Sequence, residues 1–493
     1  MVRWIALGLA LMAIAVGIWQ LERARSGLVI THDTAGTIPL TVYRRPDATD
    51  APAVIIAHGF AGSRKLMEAY ALTLARAGYV AVSFDFAGHG TNPRPMSGDI
   101  TRIEGTTRQL MAEIRRVTDY ALALPQTGTR AALLGHSMAA DIIVRQAIVD
   151  DRIRAVVAIS MFSEAVTATE PENLLVITGE WEGFLREQAL KTIRIGHPGA
   201  NAGDTVGEFA RGTARRAIVA PAVEHVAVLY SSTAMRAARR WLDEVFDQQS
   251  TGPVAATGGW IVLLLAGIVL AAWPLSRALP PASPAPAHIP LRAYLIAALA
   301  PAVLVPALIA PLDVRFLPVL VADYLALHLL AYGVLTLAIL WRFGLRLGRL
   351  AWISGLALAA YGIFVFGGAL DRYVANFMPN AGRLPIIAAI AIGAVAYMTA
   401  DSRLAAAGRA PFWRVLVQRT AFLASLGLAV AIAPERLFFL LIILPVIIVF
   451  YAIFGVMGGW VGRRTASPLA AGLGMGLTLA WATGVTFPLF SPQ

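Results

Sequence analysis

The sequence contains no cysteine, and this absence excludes several kinds of chemistry at once. Without thiols the chain can form no disulfide, no thiolate metal site and no cysteine nucleophile. Charged residues are also scarce, since they make up 14% of the chain while hydrophobic residues make up 57%. Soluble domains carry about 25% charged residues. A chain of 493 residues with this composition is expected to hold more than one domain and to lie partly in a membrane.

Acidic residues are scarce outside one region, and their distribution explains the net charge of +11. Residues 27–250 hold 23 Lys and Arg against 24 Asp and Glu, whereas the rest of the chain holds 18 against 6. The excess of basic residues therefore accompanies the apolar segments, as arginines of cytoplasmic loops do. Because residues 27–250 are near neutral, nucleic acid is excluded as an expected partner.

Long apolar runs divide the chain into three parts. The first run, residues 2–20, is long enough to span a bilayer and lacks a good cleavage site, which predicts an uncleaved signal anchor over residues 1–26. Eight further runs predict a polytopic domain of about eight helices over residues 251–493. The proline-rich stretch 279–286 is typical of an extended connector. Residues 27–250 form the remaining part and have a different pattern.

The arginines predict how these helices are oriented. With the N-terminus in the cytoplasm, eleven arginines flank the apolar runs on the cytoplasmic side and six on the opposite side. Positive residues are enriched in cytoplasmic loops. We therefore expect a multi-pass protein of the inner or plasma membrane, with residues 27–250 outside the cytoplasm.

Residues 27–250 alternate short β-branched runs with amphipathic stretches, which predicts an α/β fold. Two early strands in hairpin order precede a repeated strand–helix alternation, and this order is typical of a mostly parallel sheet with helices on both faces. Polar residues that follow parallel strands meet at one edge of such a sheet. Eight strands are predicted, over Leu28–Thr31, Leu40–Tyr43, Ala53–Ala57, Tyr79–Phe84, Ala131–Gly135, Ala155–Ser160, Leu174–Thr178 and Ala217–Ala220.

The fifth predicted strand ends in Gly135-His136-Ser137-Met138-Ala139, a small-X-Ser-X-small turn before a helical stretch. This pattern is typical of a nucleophilic serine at a strand-to-helix elbow, with the amide of Met138 at the helix N-terminus. Such a serine needs a base, a carboxylate that orients the base, and backbone donors for the oxyanion. Each of these groups follows another predicted strand.

The three partners come from three separate stretches. His58-Gly59-Phe60 offers the amide of Phe60 as a second oxyanion donor, because Gly59 lets the backbone turn. Gly179-Glu180-Trp181-Glu182 offers two carboxylates, and Glu224-His225 offers a base. The chain order serine, acid, histidine is that of one serine-hydrolase fold and differs from two other familiar orders.

With these motifs, and with Asp85-Phe86-Ala87-Gly88-His89-Gly90 after the fourth strand, residues 27–250 resemble an α/β-hydrolase of the dienelactone-hydrolase and serine-aminopeptidase-like groups. The resemblance implies that Ser137 is the nucleophile, that His225 is the general base, and that the amides of Phe60 and Met138 form the oxyanion hole. The acid of this family commonly stands three residues after a glycine, which here is Glu182 in place of Asp. Glu180 stays an alternative. No metal or organic cofactor is expected.

Other polar residues compete for these roles. His58 and His89 lie in glycine-rich loops, where we expect them to support the site structurally. His136 is expected to point away within the elbow, and His197 is a further rival of His225. Asp85 is expected to fix a loop by hydrogen bonding and not to act as the catalytic acid.

The expected activity is that of a membrane-anchored serine hydrolase which cleaves a carboxylic ester through an acyl-enzyme. The stretch Met161–Asn173 is too short for a large lid, so the bilayer or the loop Arg94–Thr106 is a candidate for the second wall of the site. A small-molecule or lipid-like ester suits such a site. The alternatives are a peptidase of the same fold, or a transporter or receptor whose hydrolase-like domain does not cleave. Ester and amide bonds are not distinguished by the motifs, and the oligomeric state stays open.

Three ionisable residues lie within the predicted spans, namely Asp323, His328 and Arg419. Ionisable residues at membrane depth are costly and are functional candidates for that reason. Tyr324 and His328 are four residues apart and share a helix face. Asp323 and Arg419 are candidates for an ion pair between helices, with packing as the simpler role.

Overall fold

The structure, a computed structural model, describes residues 1–98, 103–281 and 287–491. Parts of the loop Arg94–Thr106 and of the connector 279–286 therefore lie outside the described residues. The chain forms two compact units. The sheet unit comprises Val16–Val262, Asp371–Asn376 and Pro488–Gln493. The helical unit comprises Met1–Ala15, Leu263–Leu370 and Phe377–Phe487. The domain boundaries at residues 26 and 250 stay a prediction.

The sheet unit contains one mixed sheet of nine strands among the described residues, in the order β1-β2-β4-β3-β5-β6-β7-β9-β8. Its central strands β4, β3, β5, β6, β7 and β9 run parallel, while β1, β2 and β8 pair antiparallel with their neighbours. The strands are β1 Val29–Ala35, β2 Ile38–Arg44, β3 Ala51–Ala57, β4 Val80–Phe84, β5 Thr127–His136, β6 Ile153–Ile159, β7 Leu174–Gly179, β8 Thr205–Val206 and β9 Arg215–Ala220.

The prediction of a mostly parallel α/β-hydrolase sheet is confirmed, but the predicted number of eight strands is wrong. The additional strand is β8, which has two residues and pairs at the edge through Thr205 with Arg216 and Val206 with Arg215. A two-residue strand carries one alternation of side chains, which is too little for a period to be read. The last predicted strand is therefore β9.

Burial explains why the central strands form. Every residue of β3 is buried, including the neighbours Ile55 and Ile56, whose side chains point to opposite faces of the sheet. Ile56 lies in a core cluster with residues of α2 (Glu68–Arg76) and α6 (Ser232–Phe246), such as Leu72 and Trp241. On the other face, α3 (Arg108–Leu122) and α4 (Met138–Ile148) contact β3, β5 and β6. Helices that cover both faces of the sheet leave its carboxyl edge as the accessible rim.

Six helices lie within the first 246 residues of the described chain, and most of those after residue 257 are long and apolar. They are α1 Val2–Arg25, α2 Glu68–Arg76, α3 Arg108–Leu122, α4 Met138–Ile148, α5 Gly183–Arg194, α6 Ser232–Phe246, α7 Gly258–Ser276, α8 Leu291–Ile309, α9 Ala322–Arg342, α10 Trp352–Ala360, α11 Gly367–Tyr373, α12 Leu384–Leu404, α13 Phe412–Ile432, α14 Pro434–Leu437, α15 Leu440–Thr465 and α16 Pro468–Thr486.

Nine helices in the described part of the chain are long and apolar enough to cross a membrane. One is α1, and the others are α7, α8, α9, the continuous stretch Trp352–Tyr373, the stretch Ala381–Leu404, α13, α15 and α16. Spans of about 20 apolar residues match the thickness of a bilayer core. The chain therefore combines an α/β-hydrolase sheet with the helices of a membrane protein.

Candidate active site

Ser137 stands at a sharp turn between β5 and α4. Its backbone has φ +55° and ψ −117°, a conformation that non-glycine residues rarely adopt. The Ser137 amide donates to the carbonyl of Ile159 at 2.9 Å, which holds the strained residue against β6. A Cβ at Gly135 would lie 3.0 Å from the carbonyl oxygen of Ala139, so the turn requires a small residue there. The predicted elbow thus has the geometry of a presented nucleophile.

His225 contacts both Ser137 and Glu182. Its Nε2 lies 2.9 Å from Ser137 Oγ, and its Nδ1 lies 2.5 Å from Glu182 Oε1. The imidazole is half-exposed, whereas the Glu182 carboxylate is buried. His225 follows β9 and Glu182 follows β7, so the side chains meet because parallel strands end at one edge of the sheet. A buried carboxylate at Nδ1 fixes the tautomer in which Nε2 can accept a proton.

The environment of Glu182 keeps its carboxylate ionised. Burial acts to raise the pKa of the Glu182 carboxyl, but hydrogen bonds from His225, the Gly179 amide and the Ser160 hydroxyl outweigh it and lower that pKa below its usual value. The amide and the hydroxyl both reach Oε2, at 2.6 and 2.8 Å. Glu180 is exposed, and its carboxylate accepts from the amide of Ala222 at 2.7 Å. Of the two candidate acids, the structure brings Glu182 to the histidine.

The loop after β3 approaches the serine closely. A Cβ at Gly59 would lie 3.0 Å from Ser137 Cβ and 3.0 Å from His136 Nδ1, so a side chain at this position would crowd the nucleophile. Phe60 follows directly, and Met138 begins α4 on the other side of Ser137. The amides of Phe60 and Met138 stay the expected donors to the oxyanion, because Phe60 follows Gly59 and Met138 follows Ser137 in the chain.

His136 has a role that differs from the expected one. It does not point away from the site, since its Nε2 donates to the backbone carbonyl of His225 at 2.8 Å and the two rings lie 4.8 Å apart. Burial and the neighbouring His225 lower the pKa of His136 to about 3, so its ring is neutral. The contact joins the elbow to the loop that carries the base. The adjacency of His136 to Ser137 was the only sequence signal for it.

Ser160 was also missed by the sequence analysis. It lies just after β6 at φ +54°, is buried, and donates to Glu182. Its position at a strand end on the same edge of the sheet was the available signal. Polar side chains at four strand ends therefore converge, and three were expected.

The remaining polar candidates support the loops. His58 donates from Nδ1 to the Gly59 carbonyl at 2.8 Å and accepts the Phe86 amide at Nε2 at 3.1 Å. Burial lowers the pKa of His58, consistent with this neutral form. Asp85 accepts the Arg64 amide at 2.8 Å and pairs with its guanidinium.

The ring of His89 lies 5.0 Å from the ring of His58, and His197 lies in the turn after α5. Within the described ranges, no group of three or more His, Asp or Glu is arranged to hold a metal ion. At the carboxyl edge of the sheet, the side-chain contacts described above join Ser137, His225 and Glu182.

Arg419 of the helical unit pairs with a residue that the sequence analysis did not consider. Its guanidinium meets the carboxylate of Asp401 on α12 at 3.0 Å, so the candidate pair with Asp323 is not formed. Asp323 instead accepts the backbone amides of Phe316 and Leu317 at 2.6 and 2.5 Å. The two carboxylates lie near opposite ends of their own helices, a difference that apolar sequence patterns do not report.

His328 and Tyr324 share a helix face and are hydrogen bonded, with Tyr324 Oη 2.9 Å from His328 Nδ1. His328 Nε2 lies 2.8 Å from Ser425 Oγ on α13. The Ser425 hydroxyl donates to the carbonyl of Phe422, so it accepts from His328. The imidazole therefore holds its proton on Nε2 and accepts the Tyr324 hydroxyl at Nδ1.

Comparison with known proteins agrees with this fold. Residues 49–188 match the family model described as serine aminopeptidase, S33, a range that contains Ser137 and Glu182 but not His225. A comparison with curated proteins gives no match. The matched part of the chain is the part that carries the elbow.

Three solved structures illustrate the structural similarity. TT1662 from Thermus thermophilus is 19% identical with a TM-score of 0.35, over 45% of this chain and 99% of its own. A dienelactone hydrolase from Anabaena variabilis is 16% identical with a TM-score of 0.31, over 45% of this chain and 98% of its own. Est1E from Butyrivibrio proteoclasticus is 16% identical with a TM-score of 0.30, over 45% and 100%.

Proposed function

We propose that this chain is a membrane-anchored serine hydrolase that cleaves a carboxylic ester through an acyl-enzyme on Ser137. The observation that carries the proposal is the continuous set of contacts from Ser137 Oγ through His225 to Glu182, at 2.9 and 2.5 Å. A serine hydroxyl is a weak nucleophile until a base removes its proton. The contacts supply the base and the carboxylate that orients it.

The proposed reaction has two halves. Ser137 Oγ attacks the ester carbonyl while its proton moves to His225 Nε2, and the amides of Phe60 and Met138 stabilise the oxyanion. The intermediate then collapses, and the departing alkoxide takes the proton from His225. A water molecule, deprotonated by His225, attacks the acyl-enzyme; the bond to Ser137 Oγ then breaks, His225 returns the proton to that oxygen, and the acid is released. Glu182 stays ionised throughout and stabilises the imidazolium.

Active-site labelling tests this proposal. The full-length protein in detergent is expected to react with a fluorophosphonate probe, and Ser137→Ala is expected to abolish the label. Ser26→Ala, which alters an exposed serine, is the matched control and should label like the wild type. Folded wild-type protein that takes no label would contradict the proposal and would favour a transporter or receptor with a non-catalytic sheet unit.

A peptidase is the second candidate, because the matched family model is described as a serine aminopeptidase. Esters and amides pass through the same type of oxyanion, so the contacts at Ser137 suit both. Turnover of nitrophenyl esters and of aminoacyl nitroanilides by the same preparation separates the two candidates. We expect faster turnover of the esters, and a preference for the anilides would assign the peptidase.

The substrate proposed here is a small-molecule or lipid-like ester with an apolar acyl group. Phe162, Trp181 and Phe184 are 49%, 68% and 61% exposed, and they follow β6 and β7 near Glu182. Exposed aromatic side chains that follow strands of the carboxyl edge favour an apolar substrate. The ratio of kcat/KM for nitrophenyl octanoate and acetate is expected to exceed one and to fall when Phe162 is changed to Ser.

We propose further that the sheet unit lies outside the cytoplasm and that the bilayer anchors it. The number of long apolar helices supports the placement of all parts of the sheet unit on the same side of the membrane. Four such helices, the first beginning at Gly258, lie between Val262 and Asp371, and four more lie between Asp371 and Pro488. An even number of crossings returns a chain to the same side. The arginine asymmetry supports the outer side.

The absence of cysteine makes the orientation easy to test. Asp47 and Arg346 are both exposed, one in the sheet unit and one in the helical unit. In intact cells a membrane-impermeant maleimide is expected to label Asp47→Cys and not Arg346→Cys, with the wild type as the unlabelled control. The reverse pattern would overturn the proposed orientation.

A further inference from the structure

Two short segments from far along the chain pack against the loops around the proposed oxyanion site. Segment 371–376 begins in the last turn of the fourth long apolar helix after residue 257, and segment 488–491 follows the eighth, yet both belong to the sheet unit. Neither segment contributes a residue to the proposed catalytic site. Their contacts lead to the loop after β3, which carries Phe60.

Segment 371–376 contacts this loop at two points. The amide of Asn376 donates to Ser63 Oγ at 3.0 Å, and Ser63 is 2% exposed. Lys65 Nζ meets the Asp371 carboxylate at 2.8 Å. Ser63 stands three residues after Phe60, and a hydrogen bond of 3.0 Å from the Gly62 amide to the Gly59 carbonyl closes the turn between them. A shift of Ser63 is therefore transmitted to the Phe60 amide.

Segment 371–376 is itself held by the end of α1. The Arg372 guanidinium and the Tyr373 hydroxyl both donate to Glu22 Oε1, at 2.8 and 2.9 Å. One turn later, Arg25 pairs with Glu68 at the start of α2, directly after the same loop. Two charged contacts, at Lys65 and at Glu68, therefore hold the stretch that directly follows this loop.

Segment 488–491 contacts the loop after β4. The amide of Leu489 donates to the Gly88 carbonyl at 2.9 Å, and the Leu489 carbonyl accepts the Met96 amide at 2.8 Å. Gly88 has φ +75°, and a Cβ there would lie 2.4 Å from the Leu489 carbonyl oxygen. The segment is therefore seated against a backbone position that admits only glycine.

This second loop reaches the oxyanion site through His89. The His89 ring packs edge-on against the Phe60 ring at 6.0 Å and against His58 at 5.0 Å. Because His89 follows Gly88 directly, the position of Leu489 helps to set the position of the Phe60 side chain. Both segments thus act on one residue from two directions.

We propose that segments 371–376 and 488–491 are positioning segments, which set the amide of Phe60 for the oxyanion. The inference rests on the proposed function of Ser137. A donor must lie about 2.7–3.1 Å from the oxyanion to stabilise it, and a misplacement of about 1 Å costs up to a hundredfold in rate. The long apolar helices would then have a second role besides anchoring, because the two segments that contact the loops around Phe60 are connected through them.

Three substitutions in the full-length protein test the proposal. Ser63→Ala removes the acceptor of the Asn376 amide, Asp371→Lys replaces the ion pair with a repulsion, and Leu489→Pro removes the donor to Gly88. Each is expected to lower kcat for a short-chain ester by about tenfold, with KM unchanged, because the oxyanion forms after binding. The fluorophosphonate labelling rate is expected to fall in parallel.

Two further variants separate positioning from loss of folding. The exchange of charges in Lys65→Asp with Asp371→Lys is expected to restore most of the kcat lost in Asp371→Lys alone. Arg45→Met breaks the exposed ion pair with Asp47, 2.7 Å long and away from the oxyanion loop, and is expected to keep the wild-type kcat. All rates are normalised to the folded fraction from size-exclusion chromatography.

The outcomes separate this proposal from the proposed function. If the wild type labels and the three variants label at its rate, the positioning role is overturned while Ser137 keeps its role. If kcat per folded molecule falls equally in Arg45→Met, the positioning role is also overturned. Folded wild type that takes no label overturns the proposed function itself.

Discussion

The two units bury polar side chains in contrasting ways. In the sheet unit, Ser137, Glu182 and His225 come from three loops at one edge of the sheet, and the imidazole of His225 is 42% exposed. In the helical unit, Asp401 and Arg419 lie on two long helices and are 2% and 17% exposed. Loops at a sheet edge leave reacting atoms accessible to a substrate, whereas side chains between helices are enclosed by their neighbours.

The contrast extends to the roles of the two carboxylates. Glu182 orients a histidine that can gain and lose a proton during a reaction. Asp401 meets a guanidinium and the amide nitrogen of Gln418, which at 2.6 Å donates to it as well. An arginine stays protonated in proteins, so this ion pair holds a fixed charge. We therefore expect the first carboxylate to govern turnover and the second to govern stability.

The largest expected effect concerns the two candidate acids. Glu182→Gln should lower kcat by about 10⁴-fold, because a neutral amide no longer fixes the tautomer of His225 or stabilises its cation. Glu180→Gln keeps an acceptor for the Ala222 amide and should change kcat by less than about twofold. Steady-state kinetics on one ester compares them. Equal losses in both variants would remove the distinction between these carboxylates.

The ion pair of the helical unit is expected to affect folding alone. Asp401→Asn leaves Arg419 buried without a charged partner, and breaking a buried pair costs about 3–5 kcal/mol. The measurement is the midpoint of thermal unfolding in detergent, together with the labelling rate per folded molecule. The double variant Asp401→Asn with Arg419→Gln is expected to recover part of the loss. A normal midpoint with lost turnover would tie Asp401 to the reaction.

Another buried carboxyl, that of Glu113, sharpens the comparison within the sheet unit. Glu113 accepts the Ala87 amide at 2.8 Å, and burial raises the pKa of its carboxyl to about 7. In the unfolded chain the Glu113 carboxyl ionises near pH 4.5. The raised pKa therefore lowers the free energy of unfolding progressively from pH 4.5 to 7, and by a constant amount above pH 7.

Glu113→Gln should therefore gain stability over the wild type as pH rises through that range, by up to about 3 kcal/mol above pH 7. Thermal midpoints at pH 5 and pH 8 measure the difference. Glu187→Gln, at an exposed position, is the control and should show no such trend. A gain that does not depend on pH would contradict the assignment to ionisation.

The smallest effect is expected at His328. Tyr324→Phe removes one buried hydrogen bond and should cost about 1 kcal/mol of stability without changing the labelling rate. Tyr361→Phe removes a comparable bond to the Ile268 carbonyl, at 2.6 Å, and is the matched control. Loss of turnover in Tyr324→Phe alone would give the His328 group a part in the function of the sheet unit.

The sequence allowed the sheet edge to be predicted better than the helical unit. Residues after parallel strands converge, so the repeated strand–helix pattern placed Ser137, His225 and the two candidate acids at one edge, while the preference for Glu182 over Glu180 came from the family resemblance. The partner of Glu182 after β6, Ser160, was missed because a contact between two loops leaves no periodic signal. The strand β8 was missed because it is too short.

The helical unit shows the opposite limit. Its helices are apolar on all sides, so the sequence does not indicate how each is rotated or which residues share a depth. For this reason the sequence suggested Asp323 as the partner of Arg419, whereas in the structure Arg419 pairs with Asp401. Segments 371–376 and 488–491 were not predicted because the first begins in the last turn of an apolar helix and the second is a short stretch that follows another.

The contact between Leu489 and Gly88 has a consequence for the order in which the protein folds. The two residues are hydrogen bonded across almost the whole length of the chain, so the contact forms only after α16 has left the ribosome and entered the bilayer. Contacts between residues so distant in sequence close late and slow folding. The nascent sheet unit must then remain open at this loop until the eight long apolar helices after residue 257 have been synthesised, and under the proposed function its activity would appear only after that.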